Sequence, residues 1–105
     1  MADGDPDLMS TLIDLFSSEA AAHVDVMRES SRRLDAATMK ATAHSLKGSS
    51  LTMGAGRLAA LCAELEAYAT TNPQTAVHAA LMREVERELG RVQRALTETQ
   101  VSVQP

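Results

Sequence analysis

Met39, Ala43, Leu46, Ser50 and Met53 recur at steps of four, three, four and three. Apolar or small residues spaced this way line one side of a helix, whereas a strand would need a period of two. The same rhythm returns on both sides of this segment. Leu8, Leu12, Leu15, Phe16, Ala20, Val24 and Met27 form an earlier stripe; Leu58, Leu61, Cys62, Leu65 and Ala69 form a third. Val77, Leu81, Val85, Leu89, Val92 and Leu96 form a fourth, despite Gly90. Hydrophobic residues make up 45% of the 105, yet they include one Phe, one Tyr and no Trp. A core of Leu, Val, Met and Ala belongs to interdigitating helices rather than to sheets.

Punctuation along the chain divides these stripes. Asp5 before Pro6 is an N-cap followed by proline at the first helical position. Arg32 and Arg33 suit the negative end of that helix. Asp35 caps a second helix, Gly54-Ala55-Gly56 breaks it, and Thr70-Thr71-Asn72-Pro73 repeats the cap-then-proline signal. Helices are therefore predicted over about residues 6–33, 36–53, 56–70 and 73–98, with 99–105 as a frayed tail. Short connections favour an all-α, up-down antiparallel four-helix bundle, formed as a single domain over 1–105.

Several function classes fit poorly. The formal net charge is -4 and no basic run exceeds Arg32-Arg33, which argues against nucleic acid. The longest strictly apolar run, Leu58 to Ala63, falls far short of the ~20 residues of a membrane span. Met1 to Asp5 is acidic and polar, unlike a signal peptide. The single cysteine, Cys62, forms no internal disulfide, suits a reducing compartment, and reads as a small buried hydrophobe. A cytoplasmic monomer is the expectation. A carboxylate-bridged metal bundle needs Glu-x-x-His on two helices; the acid before His23 is Glu19, four back, and nothing comparable precedes His44 or His78. There is no His-Glu-x-x-His, no Cys-x-x-Cys and no Gly-x-x-x-x-Gly-Lys-Ser/Thr loop. Neither a bound metal nor a cofactor is expected, and His23 and His78 read as surface or boundary residues.

His44 stands apart. At ~100° per residue it lies about a quarter turn off the apolar stripe. It shares its face with Lys40, Lys47, Gly48 and Leu51. Gly48 costs ~1 kcal/mol relative to alanine inside a helix, so the economical reason for it is that something large approaches His44 closely. His44 lies ten residues before Gly54, and Glu66 ten after Gly56. At ~1.5 Å per residue the two stand at the same height on adjacent arms of a hairpin. A carboxylate on one ring nitrogen would fix the tautomer and leave the other nitrogen free as a nucleophile. The alternative for Glu66 is a solvated surface acid.

His44-Ser45-Leu46-Lys47-Gly48-Ser49-Ser50, with Gly54, Leu58, Cys62, Leu65 and Glu66 downstream, resembles a histidine-containing phosphotransfer (HPt) domain. The resemblance spans nearly the whole chain, including Leu12, Leu15, Phe16, Glu19 and Ala20 in the first helix. It implies a four-helix bundle whose histidine takes a phosphoryl group from a receiver-domain aspartate and gives it to another. By that resemblance His44 is the phosphorylated residue, Lys47 a phosphate-stabilising neighbour and Gly48 the access glycine. Glu66 falls where the family often has Glu or Gln bonding the ring. Thr52 departs from the family, where many members have Asn. The resemblance also implies a carrier rather than an enzyme with autokinase machinery. Receiver domains or a hybrid sensor kinase would be its partners, with Mg2+ held by the receiver.

Each residue also has a physical account. Imidazole is nucleophilic when neutral. Lys47 and Lys40 can balance the roughly two negative charges of an arriving phosphoryl group, though lysines one turn from a surface histidine also serve simply as a solvated face. Ala41 and Leu51 offer small apolar contact for a docking partner. Ser45, Ser49 and Ser50 read as packing residues. The competing function is a helical adaptor that binds a partner through the same face with no phosphate involved.

Overall fold

Helix α1 spans Pro6–Arg33, α2 Ala36–Thr52, α3 Gly56–Ala69 and α4 Ala76–Val103. The computed structural model describes residues 6–69 and 76–103. The Asp5 cap and the Thr70 to Pro73 signal lie outside those residues. Helix α2 packs between α1 and α3, and α4 closes the ring by packing on α3 and α1. This is the up-down antiparallel bundle that the short connections predict. No strand occurs among the described residues.

Two helix ends share one device. In a Schellman motif the chain reverses through a left-handed residue while two late carbonyls find partners. Gly54, at φ 77°, donates to Leu51 O at 3.1 Å, and Ala55 donates to Ser50 O at 2.8 Å. Leu34, at φ 58°, does the same with Ser31 O at 3.3 Å, followed by Asp35 N to Ser30 O at 2.9 Å. Asp35 then turns to cap α2, accepting from Thr38 N at 3.1 Å and from Thr38 Oγ1 at 2.7 Å.

The core is methionine, leucine, valine and alanine. Met27, Met39, Ala43, Leu46, Leu58, Cys62, Leu65 and Val85 are buried on all sides. The stripes of α2 and α3 stand as read, with Met53 only partly buried.

The two long helices depart from the sequence reading. Leu8, Leu12 and Leu15 are exposed, and Ile13 is buried instead. Helix α1 has 28 residues against 17 in α2, so at ~1.5 Å per residue its first turns reach past the α2–α3 hairpin. Leu12 and Leu15 border an open groove of about 590 Å³, lined also by Phe16, Met53 and Leu96. In α4, Val77 is exposed while His78 and Met82 are buried. His78, Met82, Val85, Leu89, Val92 and Leu96 keep the steps of four and three, so the inward line includes a histidine. Reading His78 as a surface or boundary residue is therefore corrected.

The predicted frayed tail is also corrected as far as the description runs. Helix α4 continues beyond residue 98 to Val103. Gln100 Nε2 donates to Ser10 O at 3.2 Å, to Ser10 Oγ at 3.0 Å and to Asp14 Oδ1 at 2.9 Å. Polar side chains hold this turn against α1, which leaves no apolar period to find.

Candidate functional site

Helix α2 presents its outer face between α1 and α3, and the turn at Met53 to Ala55 sets how α3 returns beside it. His44 and Glu66 meet across that seam. The His44 ring Nδ1 lies 2.9 Å from Glu66 Oε2. Lys47 Nζ donates to the other oxygen, Oε1, at 3.0 Å. One carboxylate thus holds both neighbours.

Exposure grades across the group. The side chain of His44 is 66% exposed, that of Lys47 29% and that of Glu66 20%. The Lys47 ammonium, with help from the His44 ring, holds the Glu66 carboxyl below its ordinary range although partial burial works against it. A charged carboxylate only accepts hydrogen bonds. The neutral ring therefore carries its proton on Nδ1, and Nε2, on the far side of the ring, bears the lone pair. The arrangement leaves Nε2 on an exposed, oriented ring, where a lone pair is able to act as a nucleophile.

Gly48, one turn beyond His44, is exposed. A Cβ built there would meet nothing within 4 Å. No packing inside the molecule requires a glycine at this position. Lys40 and Ala41 are also exposed, and Leu51 stands 61% open beside them.

The hydroxyls of α2 turn inward on their own helix. Ser45 Oγ donates to Ala41 O at 3.2 Å and Ser49 Oγ to Ser45 O at 2.9 Å. Thr52 donates its hydroxyl to Gly48 O at 3.1 Å. Ser50 is fully buried. Cys62, one turn before Glu66, is buried, and burial first, then the charge of Glu66, pushes its thiol up to about 12. At neutral pH it is a packing residue without thiolate character.

His23 is partly buried on α1. His78 is 2% exposed, with Nδ1 3.4 Å from Ser31 Oγ, and burial lowers its pKa. Neither joins the α2 face. Among the described residues no group of three or more His, Cys, Asp or Glu is placed to hold a metal ion. No described helix is long and apolar enough to cross a membrane.

The structure brings together His44, Glu66 and Lys47, and sets Lys40, Ala41, Gly48 and Leu51 on the surrounding face. Sequence reasoning missed the Lys47–Glu66 pair. Equal heights above the turn point only to His44 and Glu66, and it is the length of the lysine chain that closes the offset.

A family model described as Hpt domain matches residues 11–95. Among solved structures, histidine-containing phosphotransfer protein B (HptB) from Pseudomonas aeruginosa PAO1 matches with a TM-score of 0.84. That match has 30% sequence identity over 97% of this chain and 84% of that one. No curated protein sequence matches the chain.

Proposed function

The chain belongs to the Hpt domain family, phosphoryl carriers of phosphorelays, and on that premise we propose that its carrier atom is Nε2 of His44. The observation that carries this reading is the Glu66 carboxylate on Nδ1, at 2.9 Å, behind a ring that is itself exposed.

The donor is a phosphorylated receiver domain. The Nε2 lone pair attacks the phosphorus of its aspartyl phosphate in line with the leaving oxygen. The Nε2–P bond forms as the P–O bond to the aspartate breaks, and the aspartate departs as a free carboxylate. No proton has to leave the ring during this step. The Nδ1 proton stays against Glu66, and the positive charge that develops on the imidazole faces that carboxylate. In the second step an unphosphorylated receiver aspartate attacks the same phosphorus, the P–N bond breaks, and the neutral ring is restored.

Both steps need a partner's active site to close over the ring. Gly48 leaves room for this, and Ala41 and Leu51 supply the apolar contact on which the partner rests. Mg2+ belongs to the receiver. The chain acts as a monomeric carrier in the cytoplasm, and its phosphoryl group comes from the partner rather than from ATP.

Incubating the protein with a receiver domain carrying a radiolabelled phosphoryl group tests this reading. A carrier takes up the label and passes it to a second receiver. An adaptor binds and stays unlabelled, and that result would end the proposal.

A further inference from the structure

Lys47 and Lys40 lie one turn either side of His44, and the structure treats them differently. Along α1, α2 and α3 nearly every cation is matched with a carboxylate. Arg28 holds Asp25 and Glu86, Arg32 and Arg33 hold Glu29, and Arg57 holds Glu84 and Glu88. Lys47 holds Glu66. Among the described residues of α1 to α3, Lys40 alone has no acidic partner.

We propose that Lys40 is the cation that meets the phosphoryl oxygens on His44 Nε2, and that Lys47 is a positioning residue acting through Glu66. The inference rests on His44 as the acceptor and deepens that reading. Two geometric arguments carry it. Residues four apart on a helix are surface neighbours, with Cβ atoms about 5–6 Å apart. Side chains also lean toward the helix N-terminus, so the His44 ring overlies the turn that contains Lys40. Lys47 lies on the other side of the ring, drawn into the α2–α3 seam by Glu66 Oε1. It stays there after transfer, because the phosphorylated ring keeps its Nδ1 proton and still needs the Glu66 charge.

A small donor separates this claim from the one beneath it. The full chain is charged with phosphoramidate, without any receiver, and the phosphohistidine is titrated by 31P NMR. Lys40→Gln is expected to raise the phosphoryl midpoint by about half a pH unit, the scale of an exposed ion pair. Lys40→Arg should stay near the parent, and Lys47→Gln should shift the midpoint less than Lys40→Gln does. In the uncharged protein, 15N shifts should show the Nδ1–H tautomer weakened by Lys47→Gln and untouched by Lys40→Gln. A parental midpoint in Lys40→Gln, a larger shift in Lys47→Gln, or a tautomer ratio that Lys47→Gln leaves alone overturns the division of roles. Absence of any phosphohistidine at His44 in the parent would instead overturn the acceptor itself.

Discussion

Gly48 is the residue at which helix stability and the proposed chemistry disagree. A Cβ there meets nothing, so Gly48→Ala should stabilise the bundle by up to ~1 kcal/mol in urea unfolding, the helix-propensity gain. Gly48→Gln should also fold, and should still take phosphate from a small donor. Transfer from a phosphorylated receiver should nevertheless slow by about tenfold or more, equivalent to ~1.4 kcal/mol in the barrier, because the partner closes over this position. Receiver-driven transfer at the parental rate would leave the glycine without a function. The His44–Glu66 contact was legible in the sequence because height in a helical hairpin is arithmetic. Which lysine Glu66 takes was not, since that depends on how flexible chains settle around one carboxylate.

At the scale of elements, the two left-handed turns make a matched experiment. Gly54 has φ 77° and Leu34 has φ 58°, and the left-handed conformation costs a side-chain-bearing residue roughly 1–2 kcal/mol. Leu34 is half exposed, so little packing opposes a change. Leu34→Gly is expected to raise the melting temperature by a few degrees, and Gly54→Ala to lower it. A drop with Leu34→Gly would mean that its remaining contacts outweigh the backbone strain. Glycine at 54 announces its turn in the sequence; leucine at 34 hides one. Helices α2 and α3 were legible because both lie wholly within the four-helix layer and bury one clean face. In α1 and α4 the first or last turns extend past the hairpin, and their packing there is set by Gln100 rather than by an apolar period.

For the whole molecule, the buried histidine on the inward line of α4 couples folding to pH. Burial lowers the His78 pKa from its ordinary 6.5, so below pH 6.5 the unfolded chain takes up a proton that the folded chain refuses. Stability therefore falls as pH drops through 6.5, by at most about 1.4 kcal/mol per pH unit from this one group. Glu66 acts in a lower window. Its depressed pKa gives a contribution that is complete above the ordinary value of 4.5 and lost on acidification below it. Urea unfolding at pH 7.5 and 5.5 should show a loss in the parent that shrinks in His78→Leu; an equal loss in both would remove His78 as the cause. The bundle and its exposed histidine were both legible because helical period, turn residues and hairpin height agree. His78 was not, because a polar residue in phase with a stripe looks like a gap in it. The most direct measurement of the central claim is receiver-driven labelling of the His44→Gln variant, with His23→Gln as its control. His44 is off the core, so the variant should fold as the parent does and take up no phosphoryl group, while His23→Gln acquires an acid-labile, base-stable label. Label on the His44→Gln protein would contradict the account.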